Sequence, residues 1–183
     1  MNKHILIVNG YPCAGKTTFE KMIAKKYPSN IFSSIDPIKK IAKDIGWDGE
    51  TKTEALRNFL SSVKKSATEF NDYPFKATSH VIEDFFNDKD LRFLMIDIRE
   101  PEEIRKIVEC YPFVTTIFIS NKNNKTVATN NSDENVTNYI YEYYISNDGT
   151  FEDLEDAVNT FLNELETQDA GVTFDYLPNT FFI

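Results

Sequence analysis

Hydrophobic and polar positions follow two different periods along this chain. Short apolar runs fall at His4–Asn9, Asn30–Ile35, Leu91–Ile98, Phe113–Ser120 and Tyr139–Ser146. Continuous apolar runs of this length, rich in β-branched residues, predict strands buried on both faces. Between them lie amphipathic stretches: Thr18–Tyr27, a long helical insertion from Pro37 to Asp88, and Phe151–Leu165. Within the insertion Leu56, Leu60, Val63, Ala67 and Phe70 recur at helical spacing, which predicts a core-facing stripe. Strand alternating with helix predicts an α/β domain, with a parallel sheet of about five strands covered by helices.

Two segments depart from this pattern. Asn121–Asn138 is rich in asparagine, poor in large apolar residues, and carries Lys122 and Lys125. It is too long for an ordinary connection between buried strands, so it reads either as a lid over a functional site or as a disordered loop, and the lid is the expectation adopted. Ala170–Ile183 holds Phe174, Tyr176, Phe181 and Phe182, and is expected to pack on the domain or on a second copy of the chain, making a homodimer. No internal repeat or interdomain linker is visible, so one domain is expected.

Chemistry enters at the first strand end. Gly10-Tyr11-Pro12-Cys13-Ala14-Gly15-Lys16-Thr17 is a complete G-x-x-x-x-G-K-[ST] phosphate-binding loop between a predicted strand and a predicted helix. A strand that turns through glycines into a helix aims backbone N–H groups and the positive end of the helix dipole at one point, and that point binds phosphate. The cradle comprises Gly10, Cys13, Ala14, Gly15, Lys16, Thr17 and Thr18. Lys16 is expected to reach the β- and γ-phosphates of ATP, and the Thr17 hydroxyl to ligate Mg2+. Cys13 reads as a small filler rather than a nucleophile.

Composition limits the partners. The 183 residues suffice for a large core without disulfides or metals, and Cys13 and Cys110 give no disulfide framework. No apolar run approaches a bilayer span, and the amino terminus leads directly into a strand, so a cytoplasmic protein without a membrane partner is expected. A net charge of −9 argues against nucleic acid polymers as partners. A small polyanion needs only a few cations in one cleft.

The candidate cations and acids lie at strand ends. Asp97 and Arg99 close the third predicted strand, where open α/β sheets bind ligands. Asp97 could hold Mg2+ through water and Arg99 could contact a transferring or accepting phosphate; a strand-end ion pair is the plainer alternative. Arg57, one of four arginines, lies beside the apolar stripe of its helix, suited either to clamp an acceptor phosphate or to face solvent. Ser34 and Asp36 end the second strand, where they could touch a substrate sugar or base, although Asp36-Pro37 is equally a helix start. Asn147 and Gly149 follow the last strand, beside the adenine pocket if the loop holds a nucleotide. Trp47 could stack on a base or simply pack. His4 and His80 have no ligand-spaced partners, so no zinc site is expected.

Taken together these segments resemble the phage deoxynucleoside monophosphate kinases and related P-loop nucleotide kinases. The resemblance runs from about Lys3 to Leu165. It rests on the phosphate loop, Asp36-Pro37-Ile38-Lys39, Arg57-Asn58-Phe59-Leu60, Asp97-Ile98-Arg99 and Ile145-Ser146-Asn147-Asp148-Gly149-Thr150. It implies a three-layer P-loop NTPase fold with a helical acceptor-binding insertion and a short lid. It also implies that ATP and Mg2+ occupy the loop, that a nucleoside monophosphate lies against the Asp36–Arg57 region, and that Arg57 and Arg99 grip the acceptor phosphate. Such kinases usually supply an arginine from the lid. Here the lid offers only Lys122 and Lys125, which leaves room for a different acceptor.

Overall fold

The computed structural model describes residues 2–123 and 135–169. Most of the expected lid, with Lys125, and the aromatic tail therefore lie outside the described residues. The chain runs β1 (His4–Asn9), α1 (Lys16–Lys26), β2 (Ser29–Ser33), α2 (Asp36–Asp44), α3 (Glu54–Asn71), α4 (Tyr73–Asn87), β3 (Phe93–Asp97), α5 (Pro101–Cys110), β4 (Thr115–Ser120), a 3-10 turn (Asn135–Thr137), β5 (Tyr143–Ser146) and α6 (Phe151–Asp169).

All strand pairings are parallel, in the order β2-β3-β1-β4-β5. β1 is central and buried along its whole length, as its unbroken apolar run requires. Strand alternation divides its side chains between two cores. Leu6 and Val8 pack with α1 and α6 through Phe19, Ile23, Leu154, Val158 and Phe161. Ile5 and Ile7 pack on the opposite face with α4 and α5 through Ile82, Phe85, Ile104 and Ile107. The result is the expected three-layer α/β fold. Truncating a core side chain such as Phe19 to alanine should cost about 3–5 kcal/mol.

The predicted insertion is three helices with two different roles. α4 buries Pro74, Thr78, Ile82 and Phe85 and is the crossover helix covering the sheet. α2 and α3 form the protruding part. The expected core stripe of α3 is half-buried at best: no residue of α3 is fully buried, and Phe70 is 86 % exposed. The helical period was real, but α3 packs on α2 and α4 rather than on the sheet. β5 is also shorter than its apolar run: Tyr139 and Tyr141 leave the strand, Tyr141 packing beside Phe118 and Tyr139 against Tyr141.

β1 lies between β3 and β4, so connections diverge to opposite sides at its carboxyl end. A crevice forms there, and ligands bind open α/β sheets at such points. The register sets Val8, Asp97 and Ser33 side by side at the same height.

Candidate active site

The loop between β1 and α1 takes its shape from residues with positive φ: Gly10 at 147°, Cys13 at 60° and Gly15 at 104°. A Cβ on Gly10 would lie 2.2 Å from the carbonyl oxygen of Ile119 in β4, so the loop start can approach the sheet only as glycine. A Cβ on Gly15 would meet the Asn147 side chain at 2.3 Å. Cys13 holds a left-handed conformation that side chains disfavour, at a cost of about 1–2 kcal/mol.

Buried Asn9 anchors the loop. Its Oδ1 accepts from the Gly10 N–H at 2.8 Å, and its Nδ2 donates to the Tyr141 hydroxyl at 2.7 Å and to the Arg99 carbonyl at 3.3 Å. Tyr141 donates onward to the Val136 carbonyl at 2.7 Å, and burial raises its pKa. On the other side Asn147 Nδ2 donates to the Ala14 carbonyl at 3.0 Å. The Lys16 ammonium lies over the loop and donates to the carbonyls of Gly10 at 2.8 Å and Tyr11 at 3.0 Å. Gly10, Ala14, Gly15, Lys16 and Asn147 are therefore assembled in one place. Thr17 and Cys13 are exposed there, and Thr18 is half-buried.

Alternation along β3 turns Asp97 toward α1, on the same side as Phe93 and Met95. There it is hydrogen-bonded to Glu20, a residue the sequence reading passed over. Glu20 is fully buried beside Phe19, Met22 and Ile23. Burial, followed by the Asp97 charge, pushes the Glu20 pKa up to about 8, against the opposing pull of Lys16. Burial also raises Asp97, opposed by Lys16 and Arg99. Glu20 Oε1 and Asp97 Oδ1 are buried without a hydrogen-bond partner. Orphaned carboxylate oxygens beside a phosphate loop fit a hard divalent cation, whose ligands are oxygens, so the expected Mg2+ has a suitable donor set here.

A second ionic cluster lies below the protrusion. Lys64 of α3 sits 2.7 Å from carboxylate oxygens of both Glu100 and Glu103, and donates to Ser34 Oγ at 3.2 Å. Ser34, expected to face the cleft, is buried and its hydroxyl is engaged in this cluster. Asp36 opens α2, accepting from the Ser33 N–H at 3.0 Å and pairing with Lys39 at 2.8 Å, which gives it a helix-start role. Arg99 is exposed at the end of β3, close enough for its charge to act on Asp97. Arg57 is exposed and makes no hydrogen bond or ion pair with another described side chain. It precedes Lys64 by seven residues and so lies on the same side of α3, two turns nearer the helix start.

The remaining expectations resolve locally. Lys122 pairs with Asp148 at 3.3 Å, which ties the start of the lid segment to the loop after β5. Gly149 precedes a capping box in which Asp153 accepts from the Thr150 N–H at 2.7 Å and Thr150 Oγ1 accepts from the Asp153 N–H at 3.2 Å. The Trp47 indole donates to the Thr51 carbonyl at 2.9 Å within its own turn.

Both missed residues carried a sequence signal. Glu20 stands among apolar residues one turn beyond Lys16, and Lys64 continues the spacing of Leu60 and Ala67. A charge placed on an apolar stripe marks a buried polar contact.

No protein-family model matches the sequence, and no curated protein matches it either. Similarity appears in structure. TT1252 from Thermus thermophilus overlays with a TM-score of 0.52 at 16% identity, over 90% of this chain and 99% of that one. A sugar kinase from a Janibacter species overlays with a TM-score of 0.53 at 11% identity, over 95% and 100% of the two chains. A shikimate kinase from Aquifex aeolicus gives 0.45 at 14% identity, over 92% and 99%. The class these features define is the P-loop α/β fold: a five-stranded parallel sheet between helical layers, with a phosphate loop after the central strand.

Proposed function

We propose that the protein is an ATP-dependent phosphotransferase acting on a nucleoside or deoxynucleoside monophosphate. The observation that carries this reading is the phosphate loop itself, held by Asn9 and Asn147, with Lys16 above it and Asp97 at the adjacent strand end. The acceptor assignment rests on the sequence resemblance.

In this reading the loop N–H groups and the α1 dipole bind the β- and γ-phosphates. Lys16 exchanges the carbonyls of Gly10 and Tyr11 for phosphate oxygens, a short swing for a long side chain. Thr17 and Asp97 hold Mg2+, which neutralises charge on the same oxygens when bound. Arg99 and Arg57 grip the acceptor phosphate from the strand end and from α3. The protein's part is positioning and electrostatics, which is what phosphoryl transfer requires.

One observation favours a second acceptor class, a small hydroxylated metabolite. Asp97 is a buried carboxylate with a raised pKa and a free oxygen, properties suited to taking a proton from an attacking hydroxyl. A coupled ADP-release assay decides between them. Acceleration by one or more nucleoside monophosphates supports the first reading, and acceleration only by polyols or hydroxy acids supports the second. ATP binding with no acceleration by any acceptor would refute the enzyme assignment and leave a nucleotide sensor.

A further inference from the structure

We propose that Glu20 and Asp97 together form the protein's seat for the nucleotide's divalent cation, with Glu20 a ligand that the loop motif does not contain. This rests on the nucleotide reading above and adds a residue to it. Glu20 is 1 % exposed, and its neighbours on the sheet-facing side of α1 are Phe19, Met22 and Ile23. Packing alone gives no reason for an acid there, since an apolar side chain of similar length would fill the same space without desolvating a carboxyl group.

What surrounds the pair is incompletely matched. Glu20 and Asp97 touch each other, yet Glu20 Oε1 and Asp97 Oδ1 each lack a partner. The Lys16 ammonium, near enough to act on both, is hydrogen-bonded to the carbonyls of Gly10 and Tyr11. Two adjacent acids with unsatisfied oxygens call for something small, cationic and oxygen-seeking. Thr17 lies three residues before Glu20 on α1, and residues at that spacing share a helix face. Glu20 therefore lies within one helical turn of the loop motif's hydroxyl, which is itself exposed. No group of three acidic, histidine or cysteine side chains able to hold a metal occurs among the described residues. Mg2+ takes one or two carboxylates together with phosphate oxygens and water, and Glu20 and Asp97 supply two.

The test uses Mn2+ as the probe and the full chain with ADP. Free Mn2+ is followed by electron paramagnetic resonance for the wild type, Glu20→Gln and Asp97→Asn, after ADP affinity has been measured in the absence of metal. Glu20→Gln keeps the shape and can still hydrogen-bond Asp97, so it should fold. It leaves the hydrogen-bonded contact with Asp97 in place, so metal-free ADP binding should stay close to that of the wild type. Mn2+ binding to the ADP complex should weaken by at least about tenfold, as it should for Asp97→Asn. Unchanged Mn2+ affinity in Glu20→Gln with intact ADP binding would overturn the seat and leave the nucleotide reading standing. Failure of the wild type to bind ADP either with or without Mn2+ would overturn both.

Discussion

Lys64 offers the sharpest test of how the protrusion is held to the nucleotide core. Its ammonium lies 2.7 Å from Glu100 and from Glu103, with side-chain exposures of 13 % for Lys64, 11 % for Glu103 and 37 % for Glu100. Lys64→Met keeps most of the stem volume, so the cavity term is small. The cost is the charge left behind: removing one partner of a buried pair costs about 3–5 kcal/mol. Glu100 is open enough to be screened by water, so the lower end applies, about 3 kcal/mol. For a chain of this size that is about 6–12 °C in Tm.

The pH dependence follows from Glu103. Burial already raises its pKa above the ordinary carboxylate range even though Lys64 pulls it down, and removing Lys64 raises it further. A carboxyl whose folded pKa is raised keeps a proton that the unfolded chain has released, so its ionisation destabilises the fold as pH rises through the folded value. The Lys64→Met penalty should therefore be larger at pH 8 than in mild acid, shrinking as Glu103 takes up its proton. Urea denaturation across that range measures it, and Lys64→Met with Glu103→Gln should recover most of the loss at pH 8. A penalty below about 1 kcal/mol at pH 8, or one that does not change with pH, would mean the cluster is solvated like a surface pair, and the argument would fail.

Three further outcomes are expected. Lys16→Ala should abolish turnover while leaving the melting temperature nearly unchanged, because the Lys16 ammonium donates to the loop carbonyls of Gly10 and Tyr11 and lies outside the core; wild-type turnover would remove the ATP-site reading. Arg57→Ala and Arg99→Ala should each weaken acceptor use by roughly 30- to 150-fold, the equivalent of about 2–3 kcal/mol for a charge-assisted contact, and an equal loss in ATP titrations would reassign them. Gly10→Ala should lose ATP binding and at least about 2 kcal/mol of stability, since its Cβ would lie 2.2 Å from the Ile119 carbonyl oxygen and its φ is 147°; calorimetry with and without ATP separates the two losses.

What was legible in the sequence is what depends on period and on local backbone chemistry. β1 could be placed to the residue because four consecutive apolar positions, Ile5–Val8, are best satisfied in a strand covered on both faces. The loop could be placed because glycines at 10 and 15 are demanded by backbone angles and close contacts that no other residue tolerates. The role of Ser34 was not legible. Its position at a strand end predicts exposure to the cleft, but the partner that buries it, Lys64, lies 30 residues away on a helix. Glu20 and Asp97 are likewise separated by a long stretch of chain and meet only because strand alternation turns Asp97 toward α1. The apolar stripe of α3 misled in a different way, since a helical period reports which face is covered and not how deeply.

Charge at the crevice explains why backbone rather than side chains must carry the phosphates. Lys39 is matched by Asp36 and Lys64 by two glutamates, so neither brings uncompensated positive charge to the loop. Lys16 faces Glu20 and Asp97, so its charge too is offset by neighbouring acids. A triphosphate cannot be neutralised by such side chains alone, least of all on a chain with a net charge of −9. The attraction must come from the aligned N–H groups of the loop, from the helix dipole, and from a divalent cation that turns the two acids from a liability into ligands. The glycine geometry and the buried acid pair are then complementary halves of one arrangement: the first orients fixed backbone dipoles toward the phosphates, and the second makes tight binding of the polyanion conditional on its metal.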